Sequence, residues 1–251
     1  MQRNWFFYVI ESDGIIIPLI VSNKHVLCEK LWIEFDFALT DKSLSRINGP
    51  SKKNRIEKGQ LPIFEHPDLG VDLAAMPLNP IAEFFKRSGE IPHTVTLNKN
   101  NFCPFNVQSI LHPSTSILMV GFPNGIMDEA NNLPVVRRGS LATSYNVNYQ
   151  GETNFVVDIA SFGGSSGSPV FAFFDHLIPN DQGGMTLLTA PQFYLIGVLH
   201  SGPVMTAQGK IISAPIPTNY PVAHTSVMIH LGYRVKAHRI EELVVAIKPF
   251  L

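Results

Sequence analysis

Short apolar or alternating runs, separated by turn residues, recur along most of the chain. They lie at residues 6–10, 15–21, 31–38, 117–120, 155–158, 169–174 and 193–199. Runs of about four to eight residues that are rich in β-branched and aromatic side chains are typical of strands. Glycine and proline mark turns between the runs, as in Asn48-Gly49-Pro50. The pattern predicts an all-β protein.

Helical periodicity appears near the carboxyl end of the chain. Apolar residues recur at helical spacing from Ile240 to Ile247, and Pro249 stops the run. We therefore expect a C-terminal α-helix over residues 237–248 that packs on the β-structure.

The composition is that of an ordinary globular chain, with 251 residues of which 45% are hydrophobic and 16% charged. Such a chain can bury a substantial core. The polar stretch at residues 98–101 divides the strand pattern into two parts, each complete enough for a barrel. We expect one domain, made of an N-terminal barrel over residues 1–100 and a C-terminal barrel over residues 101–236.

Charge and hydropathy exclude several classes of partner. The 19 basic and 20 acidic residues give a formal net charge of −1, and no basic stripe is present, so nucleic acid is not expected as a partner. No apolar run approaches the roughly 20 residues of a membrane span, and Glu11 interrupts the early apolar residues that a signal peptide would need. We expect a cytoplasmic protein, although a strand so close to Met1 leaves room for a missing flanking domain.

The two cysteines do not indicate a metal site or a disulfide scaffold. Cys28 and Cys103 stand far apart in the sequence, without CxxC or Cys/His spacing. We expect both thiols to be free and buried. No phosphate-binding loop or ligand cluster is present either, so no cofactor and no metal are predicted.

The most informative segment is residues 155–171, in which a strand enters a tight glycine and serine turn and a second strand leaves it. Such a turn displays one hydroxyl, that of Ser166. Glycines allow the sharp bend that would aim the N–H groups of Gly164 and Ser166 at one point, as in an oxyanion hole. A plain hairpin loop is the alternative for this segment taken alone.

Gly164-Ser-Ser-Gly-Ser-Pro169 resembles the nucleophile signature of trypsin-like serine peptidases, in which the middle serine attacks the substrate. Residues 19–27 resemble the strand that ends in the catalytic histidine of that family, and residues 66–76 resemble its aspartate element. The resemblance implies a triad of His25, Asp72 and Ser166, in the chain order of the chymotrypsin class.

The resemblance covers roughly residues 5–235. It implies two six-stranded antiparallel Greek-key β-barrels of the chymotrypsin-like type, and a serine endopeptidase that acts on a protein or peptide substrate. Asp158 lies eight residues before Ser166, which is the style of bacterial Deg-like and glutamyl-peptidase-like enzymes. Ser165 stands where animal trypsin-like enzymes place an aspartate, so other contacts or a regulatory partner must hold the oxyanion hole open.

The resemblance places the first substrate pocket between the segment before Ser166 and the strand at residues 195–202. Ala160 occupies the position of the acidic pocket base of trypsin, so a preference for small or apolar side chains is expected. His200, Ser201 and Gly202 line the other wall. His200 is one residue out of register with the pocket histidine of glutamate-specific enzymes, and a structural role for it is preferred.

Three other segments are predicted to have structural roles only, apart from catalysis. His66 and Asp68 cap a turn before a strand, residues 51–55 form a solvated loop, and Arg137-Arg138-Gly139 forms a turn with solvent-facing or loop-bracing cations. A peptidase-fold protein that binds partners without cleaving them is the alternative function. A lipase or esterase elbow is disfavoured, because Pro169 leads into a strand and not into a helix.

Overall fold

The structure is a computed structural model that describes residues 4–12, 14–29, 31–41, 43, 45–46, 51–180, 183–202, 204–210, 222–228 and 230–250. The turn predicted at residues 48–50 lies outside these residues. Most of the regular structure is β-strand, which confirms the all-β prediction.

The elements fall into two halves along the chain. The strands of the first half are β1 Phe6–Ser12, β2 Ile15–Ser22, β3 Trp32–Phe37, β4 Leu39–Thr40, β5 Lys52–Glu57, β6 Phe64–Glu65, β7 Ala74–Pro77, β8 Ile91–Pro92 and β9 Thr96–Leu97. The strands of the second half are β10 Ser116–Gly121, β11 Val135–Leu141, β12 Asn154–Asp158, β13 Pro169–Phe174, β14 Leu177–Pro179, β15 Met185–Leu187, β16 Gln192–Ser201, β17 Val204–Lys210, β18 Val222–Met228 and β19 Leu231–Lys236. The α-helices are α1 Lys24–Leu27, α2 Asn79–Ser88, α3 Phe105–Gln108 and α4 His238–Ile247.

The first half is built on a five-stranded sheet in the order β6-β7-β2-β1-β9, with the two-stranded ladders β3-β5 and β4-β8 beside it. The aromatic residues Phe35, Phe37 and Phe85 pack with Ile20 and Met76 in a core between these layers. Among the described strands, hydrogen bonds close a barrel in the second half only.

Six antiparallel strands of the second half form that closed barrel, in the order β10-β11-β12-β19-β16-β13. Its interior is filled by fully buried side chains such as Ile117, Met119, Phe155 and Ile196. The pairing of β16 with β19 shifts register between Leu199 and Ser201, and such a bulge re-aims the residue that it contains.

A third core joins the two halves and the C-terminal helix. Leu19 and Val21 of β2 pack with Val198 of β16 and with the apolar face of α4, from Ile240 to Ile247. The predicted C-terminal helix is therefore confirmed, with bounds one residue inside those expected. The boundary near residue 100 stays a prediction; the passage between the halves lies between the end of β9 and the start of α3.

Two interpretations of charged segments were wrong. Residues 52–57 are strand β5 and not a loop, because alternation places Ile56 in the core while the charged neighbours face outward. Arg137-Arg138-Gly139 lies within strand β11 and not in a turn. Charged side chains dominate the composition of both segments, but the pleat needs only every second residue to face the core.

Helix α2 was not anticipated from the sequence. It begins with proline in its first turn and ends at Gly89, whose φ of 69° is in the left-handed region that suits a C-cap glycine.

No helix in the described ranges is long and apolar enough to cross a membrane. Cys28 and Cys103 are both free, with Cys103 buried and Cys28 half-buried.

Candidate active site

His25 and Asp72 come from loops at the same end of the first sheet. His25 lies in α1, directly after β2, and Asp72 lies just before β7. These two strands pair antiparallel, with Ser22 opposite Ala74, so the loops meet. His25 Nδ1 and Asp72 Oδ2 are 2.7 Å apart, and the His25 backbone N–H donates to Asp72 Oδ1 at 3.3 Å. The fold thus brings together two residues that are far apart in sequence.

The environment keeps Asp72 ionised. Burial alone would raise its pKa, but the hydrogen bond and charge of His25 outweigh that effect and lower the pKa of Asp72. The amide of Asn23 donates to the Asp72 carbonyl at 2.7 Å and fixes the loop. A carboxylate on one ring nitrogen sets the tautomer of an imidazole, so His25 carries its proton on Nδ1 and its basic lone pair on Nε2.

Ser166 lies in a loop that only glycine allows at two positions. Gly164 and Gly167 have φ values of 78° and 87°, in the region that glycine adopts readily. A Cβ at Gly167 would also overlap the backbone carbonyl of Asn4. The hydroxyl of Ser166 donates to the carbonyl of His200 at 3.2 Å.

His200 connects the serine loop with the histidine and aspartate pair. Its carbonyl holds the Ser166 hydroxyl, and its ring is close enough to both Asp72 and His25 for their charges to affect its pKa. The residue occupies the bulge in β16. The three residues predicted as a triad therefore lie near one residue, with Ser166 at the backbone carbonyl of His200 and the other two near its ring.

The peptide between Gly163 and Gly164 has a fixed orientation. Its carbonyl accepts a hydrogen bond from the backbone N–H of Asn124 at 3.1 Å. In a trans peptide the N–H points away from the carbonyl, so this bond sets the direction of the Gly164 N–H.

The peptide between Ser165 and Ser166 is held in the same way. Its carbonyl accepts from the N–H of Ser168 at 3.2 Å. Within the described residues, the N–H groups of Gly164 and Ser166 donate to no protein acceptor. Both predicted oxyanion-hole donors are therefore oriented by bonds on their own peptides.

Asn4 braces this loop from the first half, a role that was not predicted from the sequence. Its side chain is 1% exposed, accepts from the N–H of Phe122 and donates to the carbonyl of Gly164 at 2.6 Å. Its own carbonyl accepts from the Ser22 hydroxyl at 2.6 Å. A polar residue before an aromatic strand has no pattern of its own, since the partners of its side chain lie over a hundred positions away.

Arg137 braces the same loop from β11. One guanidinium nitrogen donates to Ser165 Oγ at 3.1 Å and another donates to the Ala160 carbonyl. Ser165 is 1% exposed, so this contact is internal. Arg137 therefore braces this loop, which is one of the two roles expected for it.

The residues predicted for the pocket lie on two neighbouring segments. Ala160 is exposed in the loop after β12, and Ser201 and Gly202 lie at the end of β16. The Ser201 hydroxyl is 3.0 Å from Nδ1 of His200, whose ring stacks on Tyr233 with 6.3 Å between centroids.

The turn before Asp72 is tied to the C-terminal helix. His66 Nδ1 accepts from the N–H of Asp68 at 3.0 Å, and Asp68 Oδ1 accepts from the N–H of Gly70 at 2.9 Å. The second carboxylate oxygen of Asp68 pairs with Arg239 of α4.

Across the described residues, no group of three His, Cys, Asp or Glu side chains is placed to hold a metal ion.

His200 makes the stability of the fold depend on pH. Burial, with smaller effects of Arg234 and His25, lowers the pKa of His200 from 6.5 to about 4. Between these values the unfolded chain binds a proton that the folded chain does not, so the free energy of unfolding falls as the pH falls from 6.5 towards 4. His200→Gln should reduce this loss, by up to about 3 kcal/mol.

Urea unfolding at pH 7, 5.5 and 4.5 measures the effect. His176→Gln is the matched control, because His176 is exposed and should leave the pH dependence as it is in the wild type. Equal slopes for wild type and His200→Gln would contradict the assignment.

The family model of the trypsin-like peptidase domain matches residues 8–176, which include His25, Asp72 and Ser166. No curated protein matches the chain. Among solved structures, the scabies mite inactivated protease paralogue S-I1 is similar at a TM-score of 0.43 and 10% identity, over 97% of this chain and 93% of that chain. The family match and the closed β-barrel support the chymotrypsin-like fold class that was predicted.

Proposed function

The chain belongs to the trypsin-like peptidase domain family, and from that premise we propose that it is a serine endopeptidase with His25, Asp72 and Ser166 as its triad. The observation that carries the proposal is the 2.7 Å contact between His25 Nδ1 and Asp72 Oδ2, beside a loop that presents Ser166. A serine hydroxyl is a weak nucleophile at neutral pH and needs such a base.

In the proposed reaction Ser166 Oγ attacks the carbonyl carbon of a peptide bond. His25 Nε2 takes the hydroxyl proton as the new C–O bond forms, and then gives that proton to the departing amine. Asp72 stays ionised and stabilises the transient imidazolium. A water molecule then attacks the acyl carbon while His25 takes its proton. The bond to Ser166 Oγ breaks, and His25 returns the proton to that oxygen.

The oxyanion of each tetrahedral intermediate would receive hydrogen bonds from the N–H groups of Gly164 and Ser166. Their orientation is fixed in advance by bonds to the carbonyls of the same peptides. A preorganised donor of this type contributes about 10²- to 10³-fold to turnover. The braces from Asn4 and Arg137 would keep that orientation without the aspartate that Ser165 replaces.

The substrate that this chemistry requires is a protein or peptide chain. No cofactor takes part in the proposed steps. A cytoplasmic location, and a regulatory partner or flanking domain, stay predictions from the sequence.

Hydrolysis of an unstructured protein such as casein tests the proposal. We expect cleavage by the wild type and loss of at least about 10³-fold in rate for Ser166→Ala. Ser109→Ala, which changes an exposed serine in the same half, should keep the wild-type rate. Equal cleavage by wild type and Ser166→Ala would contradict the proposal. No cleavage by a folded wild type would favour a protein that binds without cleaving.

A further inference from the structure

Arg234 is a charged side chain buried completely inside the second barrel. It is 0% exposed and lies on β19 directly opposite Phe155 of β12, so it faces the barrel interior. Its guanidinium donates to the Tyr233 carbonyl at 3.1 Å, to Ser161 Oγ at 3.3 Å and to Met119 Sδ at 3.5 Å. Among the residues that the structure describes, its Nε has no hydrogen-bond partner.

This buried cation has no acidic partner in the described part of the chain. No carboxylate there lies within 4.0 Å of Arg234 or of Arg137. Burial, and then the charge of Arg137, lower the pKa of Arg234, which means that its charged form is destabilised. Charged groups are almost never fully buried unless they are paired, so an anion from outside the chain would complete this site.

Gly232 allows the guanidinium to reach one end of the barrel. A Cβ at Gly232 would overlap Nη1 of Arg234, so the side chain runs back over the glycine along its own strand. It ends at Ser161, next to Ala160. The missing side chain at residue 232 is thus what lets the cation approach the segment before the nucleophile.

Strand β19, which carries Arg234, lies between the two strands that lead to the predicted pocket. In the barrel order, β19 lies between β12 and β16. β12 leads into Ala160, and β16 ends at Ser201, so β19 lies behind both walls of the predicted pocket. On the other side of the same loop, Arg137 donates to the Ala160 carbonyl. Two unpaired guanidinium groups therefore flank one wall.

Ser161, which is 1% exposed, can donate a hydrogen bond to a ligand group that enters beside Ala160. Its Oγ accepts from Arg234, and a hydroxyl that accepts one hydrogen bond keeps its own proton to donate. Among the described residues, no acceptor takes that proton. A carboxylate is the ligand group that accepts without needing to donate.

We propose that the pocket beside Ala160 receives an aspartate or glutamate side chain, the residue before the cleaved bond, with Arg234 as its countercharge and Ser161 as its hydrogen-bond donor. The inference rests on the proposed peptidase function. It replaces the preference for small or apolar side chains that Ala160 alone suggested, because Ala160 carries no charge but the groups behind it do.

Peptide substrates that differ only in the residue before the cleaved bond test the inference. The series contains Glu, Gln, Asp, Asn, Ala, Leu and Arg at that position. For the wild type we expect kcat/KM to be about 10²-fold higher for Glu than for Gln, or for Asp than for Asn, because each pair differs only in charge. Equal values within both pairs, or a preference for Ala or Leu, would overturn the inference.

Arg234→Met separates a role in recognition from a role in folding. Methionine keeps much of the volume, and an apolar side chain in place of an unpaired buried charge should not lower stability. We expect the preference for acidic residues to disappear while cleavage of the neutral peptides and the Tm persist. Arg138→Met is the control, since Arg138 bonds Ser116 on the outer face, and it should leave the preference unchanged. An acidic preference that survives in folded Arg234→Met would overturn the assignment to Arg234.

Labelling of Ser166 with a fluorophosphonate separates failure of the inference from failure of the proposed function. A labelled enzyme without acidic preference is a serine peptidase of other specificity, and only the inference falls. A folded protein that is neither labelled nor able to cleave any peptide of the series overturns both. If Arg234→Met does not fold, the wild-type series still decides.

Discussion

Asp72→Asn is expected to lower kcat by about 10⁴-fold while the protein stays folded. The amide would donate to His25 Nδ1 where the carboxylate now accepts from it at 2.7 Å. The ring would then carry its proton on Nε2, which could no longer accept the proton of Ser166. Steady-state cleavage of one peptide, with the Tm of each variant, measures the effect.

Asp68→Asn is the matched control. Asp68 lies in the same turn, but its exposed carboxylate pairs with Arg239 and not with His25. We expect its kcat to stay within about threefold of the wild type, because solvent screens the Asp68 end of this ion pair and the carboxylate does not contact the His25 ring. Similar losses for both variants would mean that the turn, and not the carboxylate beside His25, matters for turnover.

Arg137→Ala is expected to lower kcat by about 10²-fold with a smaller change in KM, as for the loss of one oxyanion donor. The guanidinium ties Ser165 Oγ to the Ala160 carbonyl, and without it only the bond from the Ser168 N–H holds the peptide that carries the Ser166 N–H. Arg138→Ala removes a neighbouring guanidinium that bonds outside the loop and should be nearly silent.

A substitution of Ser165 tests the same contact between Arg137 and Ser165. Ser165→Asp places a carboxylate where Arg137 now donates to a hydroxyl at 3.1 Å, and a charge-assisted bond is stronger than a neutral one. We expect Ser165→Asp to keep activity in the wild-type background and to lose it with Arg137→Ala. Equal activity of all these variants would show that the brace does not affect the oxyanion hole.

Local backbone chemistry explains what the sequence could predict. The serine loop is recognisable because its two left-handed positions, Gly164 and Gly167, require glycine and because a strand lies on each side. The C-terminal helix is recognisable because its buried residues, Ile240, Leu243, Val244 and Ile247, recur at helical spacing. In both cases the signal lies within a few residues of the feature.

Contacts between distant segments explain what the sequence could not predict. Asn4 reaches Gly164, Arg137 reaches Ser165, and Arg234 reaches Ser161, and in each case the partner is set by strand order and not by spacing. An arginine in a strand pattern resembles an outward-facing residue until the pairing with Phe155 shows which way it points. The position of the Arg234 guanidinium beside Ser161 therefore became visible only with the fold.

Fluorophosphonate labelling of the purified full chain, with the adduct located by mass spectrometry, tests whether His25 activates Ser166. We predict one adduct, on Ser166 Oγ, that is lost in Ser166→Ala and strongly slowed in His25→Ala, because the serine reacts only with a base beside it. A well-folded wild type that takes up no label, or that is labelled as fast without His25, would contradict the claim that this site is a working triad.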